Sequence, residues 1–547
     1  MSASRKVRLC AAMSLSIILL SLATVAPSHA QYSPFAADAA RSAELSTDPL
    51  TRSPGLAGMG RLSLVGEDRH NRITLWDFAG NPTGVALADS TTTIDLRPGA
   101  AGGSDVRDLT GGSAGRVQEM FSAHGGDLGY ELWRRLGGLA YGAIGDLGSL
   151  QLDRPYNDDV EHRNNLTAPW AMPVINGVLP FTHSGRTRYA LDIHWGQESV
   201  DSRYLLIVRN ASGDFISLDS DEQKPPNVFV TEIYDVRQIG GGLALSQVIG
   251  SWLTAAVGYD GVALRLNGDN PDKRNDAQTH ELRPYNIGQA SLIGRIGNNF
   301  EWGVDGRGWQ SNSETNWNFT ISAGLGAIPL SGRGKLLERH EEGSSLRTRA
   351  RWHAGALEIG MGLNTDYRRV NITPPRATDQ TSFNYFLNTV FWRQSADSLA
   401  LADSVIADEA QLRGWEAGGG LALHLPNRRG LIGIEYHRDR RVEQSLITGT
   451  GPRRVGWDVR SGLEYRLTTA LAARTGYQYR WNDLDDFTRA NEYRSHLVTA
   501  GLGLTPRGSN WTADLSYGIR WLRADYGDPG EPHGSRQQLV SQVHWAF

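Results

Sequence analysis

Cysteine is almost absent: Cys10 is the only one among 547 residues. That excludes a disulfide framework and any Cys-based zinc site. Long apolar runs are missing as well. Beyond residue 30 nothing approaches the roughly 18 consecutive apolar residues of a spanning helix. Neither sign of charge is in excess, with 55 Lys and Arg against 59 Asp and Glu and a net charge of -4. A strongly basic nucleic-acid binder is therefore excluded. A mean hydropathy of -0.38 is too polar for a bundle of membrane helices. What is plentiful is glycine, at 63 residues, and aromatics, with 16 Trp, 18 Tyr and 13 Phe. The glycines follow no Gly-X-Y period, which excludes collagen, and the aromatics exclude a disordered chain.

The first thirty residues read as an export signal. Arg5, Lys6 and Arg8 precede the apolar stretch Ala11 to Val25, and Ser28-His29-Ala30 has the small-x-small pattern of a cleavage site. The apolar run is shorter than the roughly 20 residues of a membrane anchor. Cleavage would remove three positive charges and Cys10, leaving a net charge of -7 and a chain that suits an oxidising compartment.

The rest of the chain alternates with period two. Trp511, Ala513, Leu515, Tyr517, Ile519 and Trp521 are interleaved with Thr512, Asp514, Ser516, Gly518 and Arg520. The same pattern recurs around Trp457, around Tyr477 and Tyr479, and around Trp302, Trp352 and Trp195. A strand sends successive side chains to opposite faces, so each segment has one apolar and one polar face. Three features separate a membrane barrel from a soluble sandwich. Segments of about 10 to 14 residues have the length of a tilted membrane strand. Aromatics gather at strand ends, as at Tyr479/Trp481, Trp521 and Phe391/Trp392. Short turns (Pro426 to Arg429, Thr468-Thr469, Pro506 to Ser509) alternate with longer polar connections (Arg440 to Pro452, Asn482 to Glu492, Asp525 to Ser535).

Two resemblances add to this. Leu539, Val543, Trp545 and Phe547 share one face of the final segment. That end resembles the terminal signal of bacterial outer-membrane proteins, which implies recognition of Trp545 and Phe547 by the barrel-assembly machinery. Near the other end, Gly58-Met59-Gly60 and Asn81-Pro82-Thr83-Gly84 resemble stretches of the FadL-like hydrophobic-compound transporters. In that family the N-terminal segment folds as a hatch inside the barrel, which makes Gly58, Gly60, Asn81 and Pro82 hatch candidates. Thr83 stands where that family has Ala, and Glu67 to Arg72 is unusually charged. The other reading of this region is a periplasmic linker with one hairpin. In both readings Gly99 to Gly103 would be flexible punctuation before the barrel.

No dinucleotide, Walker or His-Glu-x-x-His motif is present, and no cofactor or metal is expected. Ser495 and His496 are adjacent on a strand and face opposite ways, so they do not form a hydrolase pair. The polar face carries Arg347, Arg349, Arg351, Arg460, Arg474, Arg480 and Arg520 with Asp458 and Asp514. These are the candidates for a lumen lining. They would either neutralise one another across strands or guide a solute.

The sequence therefore predicts an all-β fold, a single-chain antiparallel transmembrane β-barrel of about 16 strands, with roughly 14 to 20 allowed. Residues 1–30 are read as the signal peptide, 31–113 as an N-terminal hatch or periplasmic segment, and 114–547 as the barrel. The expected setting is the cell outer membrane, among its lipid and lipopolysaccharide. The expected function is non-enzymatic passage of small solutes, with hydrophobic compounds as one class. A non-transporting barrel with a structural, adhesion or ligand-binding role is the alternative.

Overall fold

A computed structural model describes residues 59–65, 93–109, 117–136, 139–155, 163–172, 181–184, 187–205, 229–272, 275–321, 330–373, 408–445, 453–486, 489–525 and 533–546. In chain order the strands are β1 (Thr93–Leu109), β2 (Val117–Leu136), β3 (Leu139–Pro155), β4 (Arg163–Met172), β5 (Phe181–Ser184), β6 (Thr187–Leu205), β7 (Phe229–Ile249), β8 (Leu253–Asp272), β9 (Asn275–Ile296) and β10 (Phe300–Ile321). They continue with β11 (Leu330–Ala354), β12 (Leu357–Thr373), β13 (Asp408–His424), β14 (Gly430–Ser445), β15 (Arg453–Arg466), β16 (Leu471–Asp486), β17 (Arg489–Leu504), β18 (Trp511–Asp525) and β19 (His533–Ala546). Among the described residues no helix is long and apolar enough to cross a membrane.

All 19 strands lie in one antiparallel sheet. Successive strands pair, and β1 pairs with both β2 and β19, with Ile94 opposite Leu132 on one side and Trp545 on the other. The ladder thus returns to its first strand. An all-antiparallel ring needs an even number of positions, and β4 and β5 supply the parity by sharing one. Both sit between β3 and β6, β4 against Asp146 to Pro155 and β5 against Leu139. Among the described residues nineteen strands therefore make eighteen staves, within the range the sequence predicts. In the β1–β19 ladder the register steps from Leu96 opposite Val543 to Gly99 opposite Val540, passing over Pro98. Proline has no N–H to give.

The apolar stripe faces outward. Leu243, Val257, Tyr259, Met361, Ile434 and Tyr517 are exposed on the outer face. Trp511 and Trp457 are half-exposed on the same face. On β8 the outward residues stay apolar from Leu253 to Ala263, then turn to Arg265 and Asn267. Ten residue steps at about 3.4 Å, tilted about 40°, give a band roughly 25 Å tall. Aromatics edge it. Toward the tight turns stand Trp302, Trp352 and Trp545, with Trp302 laid over Gly294 across the ladder. At the other edge Trp457 stacks on Tyr436 and Trp481 at 6.4 Å and tilts against Tyr479 at 5.2 Å.

The expected tight turns lie at one end, where Gly297, Gly355, Asn427 and Gly508 take left-handed backbone conformations. Three expectations need correction. Most staves run 14 to 22 residues and β11 reaches 25, longer than the band alone requires. Asn482 to Glu492 is largely strand, since β16 reaches Asp486 and β17 starts at Arg489. The barrel also begins before residue 114. β1 lies in the stretch assigned to the N-terminal segment, and Gly99 to Gly103 are paired strand residues in it. The small residues allow close approach there: a Cβ on Gly126 would stand 3.3 Å from the Gly99 carbonyl oxygen. Phe391, Trp392 and Phe547 lie outside the described residues.

Candidate functional site

The inner face is charged and crowded along β12 to β19. Arg460 holds Asp458 with two bonds, Nε to Oδ1 at 2.8 Å and Nη2 to Oδ2 at 3.0 Å. Arg474 bridges Glu464 at 2.8 Å and Asp514. Arg480 donates to Asn482 at 3.2 Å and stands 3.7 Å from Asp439. Arg520 is half-buried on β18, with Leu497 and Arg536 as its ladder neighbours. The predicted arginine comb divides. Arg351 is buried with its Nε 3.5 Å from Glu358, whereas Arg347 and Arg349 are exposed. Those two line a cavity of about 370 Å³ with Asp305, Glu416 and His437. Ser495 and His496 do face opposite ways, the serine buried inside and the histidine bonded outside to Tyr477 at 2.7 Å.

Across five staves this inner face has a gap in its side chains. Gly360 lies opposite Gly420, and Gly433 opposite Gly462, which is itself opposite Gly476. All stand a few residues above the tight turns, so they form a ledge around the wall. Met59–Val65 lies on it. A side chain at Gly476 would collide with Met59 and Gly60, one at Gly462 with Met59, and one at Gly360 with Leu64 and Val65. Gly60 itself has φ +70 and no room for a Cβ beside Ser461 and Tyr477. Met59, Leu62 and Val65 pack on Ala422 and Leu431.

Glu435 anchors the segment. It is 1% exposed. Its carboxylate accepts from the backbone N–H groups of Ser63 at 2.9 Å, Leu64 at 2.6 Å and Val65 at 2.8 Å. His437 bridges Glu435 at 2.9 Å and Glu416 at 3.3 Å. Arg460 donates to the Arg61 carbonyl at 3.1 Å, Thr499 accepts from the Gly60 N–H at 3.0 Å, and Arg61 reaches Gln538 on β19 at 2.8 Å. A non-strand backbone is tolerated inside the barrel because charged groups satisfy it. Of the hatch candidates Gly60 sits in this site, while Gly58, Asn81 and Pro82 lie outside the described residues.

The opposite wall differs. On β8 and β9 the inner face carries Val262, Leu264, Leu266, Tyr285 and Ile287, a buried apolar cluster with Trp309 packed against it. Beside it Arg283 holds Glu281 at 2.7 Å, and Glu341 takes Arg368 at 2.8 Å and Arg339 at 3.3 Å.

No family model matches the chain, and no curated protein matches it. Solved structures do. The toluene transporter TodX of Pseudomonas putida is 11% identical with a TM-score of 0.33, over 90% of this chain and 98% of that one. A FadL homologue of Pseudomonas aeruginosa is 12% identical with a TM-score of 0.35, over the same shares. The ferric citrate transporter FecA is 10% identical with a TM-score of 0.40, over 84% of this chain and 79% of that one. FadL-like proteins are thus among the structures the chain resembles. The barrel assignment rests on the chain's own strand pairing.

Proposed function

We propose that the chain is an outer-membrane barrel that passes small solutes through its lumen past Met59–Val65, which acts as a hatch. The outward apolar band of about 25 Å, edged by aromatics, supports the membrane setting. The observation that carries the transport reading is the built ledge. Glycines on five staves and the buried Glu435 hold a short segment across one side of the lumen. The inward cluster of Val262, Leu264, Leu266, Tyr285 and Ile287 is buried and packs the wall, so hydrophobic compounds are proposed as one class of solute among small ones. The dense ion pairing of β12 to β19 favours the second reading, a non-transporting barrel stiffened from inside.

Conductance in planar bilayers separates the two. Glu435→Ala removes the shared acceptor of three N–H groups, of which the two buried ones, on Leu64 and Val65, are each worth about 1–3 kcal/mol when left unsatisfied. The expected result is a conductance several-fold above wild type. No current from either protein at any voltage would sink the transport reading. In cells, faster entry of an aromatic hydrocarbon than of a sugar of similar size supports the hydrophobic class.

A further inference from the structure

His353, Glu358 and His424 point inward from three neighbouring staves at the tight-turn rim. His353 and Glu358 are direct partners in the β11–β12 ladder, where facing side chains start about 5 Å apart. His424 lies beside them on β13, with its N–H bonded to the Ala356 carbonyl at 2.8 Å. One ligand atom from each residue lies within 4.8 Å of the others. His424 Nε2 stands 3.1 Å from Glu358 Oε2. Metal bonds of about 2.0–2.1 Å give a tetrahedron an edge of about 3.3 Å, so this pair already has the right spacing.

We propose that these three residues form a binding site for a divalent transition metal of the zinc, cobalt and nickel type. Two imidazoles and one carboxylate are the donor set such ions prefer, and three ligands leave one position for water. Glu358 is fully buried, and Arg351 stands at its other oxygen at 3.5 Å. That contact leaves Oε2 facing His424, as an outer-shell partner does. Both histidines are partly exposed, which gives the ion a path from the rim. A bound ion would cross-link β11, β12 and β13 beside the ledge. The other inner ion pairs described above join carboxylates mainly to arginine, which does not ligate metals, and among the described residues no other such trio occurs.

The test uses the full-length protein in detergent, stripped with chelator and free of any affinity tag. Titration with Co²⁺ is followed by visible absorption, with Zn²⁺ as competitor. One Co²⁺ per chain is expected. His353→Gln, His424→Gln and Glu358→Gln should each weaken it at least tenfold, and Zn²⁺ should raise the melting temperature of wild type only. Heat-modifiable gel mobility reports whether each variant is folded. Arg351→Gln should keep the one-to-one stoichiometry. The proposal is overturned if wild type binds no more Co²⁺ than the folded double variant His353→Gln/His424→Gln.

Discussion

The two sides of the barrel solve the same problem differently. From β7 to β11 the staves are tall, 20 to 25 residues, and their inner face fills itself with an apolar cluster and a knot of arginines and glutamates. From β14 to β19 they are short, 14 to 16 residues, and their inner face includes glycine positions that a borrowed segment covers. A tall wall has enough side chain to pack alone. A short wall with a bare ledge needs residues from elsewhere in the chain. The lesson is that lumen-facing glycine at one height on adjacent staves marks a seat, whereas scattered glycine does not.

The contrast breaks hardest at Arg474. Arg474→Met leaves Glu464 and Asp514 buried without their cation, which costs roughly 3–5 kcal/mol. Urea unfolding followed by tryptophan fluorescence should show that loss, and an unchanged midpoint would mean that the short wall does not depend on its ion pairs. Next is Leu264→Ala on the tall wall, where a fully buried side chain leaves a cavity worth about 2–5 kcal/mol. The same titration should show it, and protease protection of Met59–Val65 should not change, because that segment sits on the other wall. The smallest effect belongs to Glu301→Gln, which removes an exposed pair with Arg295 at 2.8 Å. Its midpoint should match wild type, since exposed pairs contribute little. A clear loss there would show that the tall wall also draws strength from the exposed pairs at its tight-turn rim.

The barrel was legible from alternation because period two is a property of each strand alone. Trp511 to Trp521 and Trp457 show it without help from neighbours. The tight turns at Pro426 and Pro506 were legible for the same local reason. Gly99 to Gly103 misled, because consecutive glycines read as a breaker unless the facing strand, with Gly125 and Gly126, is known. Glu435 was not legible at all. It looks like one more inner-face acid, and its partners Ser63 to Val65 lie 370 to 372 residues away in the chain. The glycine ledge was the available signal, but Gly360, Gly433 and Gly476 line up only once the register is fixed.

The joint between the first and last strands has a gap in its ladder. At Pro98 the seam between the first and last strands loses a rung, and a hydroxyl, Ser541 Oγ, bonds the proline carbonyl at 3.3 Å instead. The first and last strands thus hold each other by ten paired positions split on either side of Pro98, so the ring stays whole only while both ends of the chain keep their register.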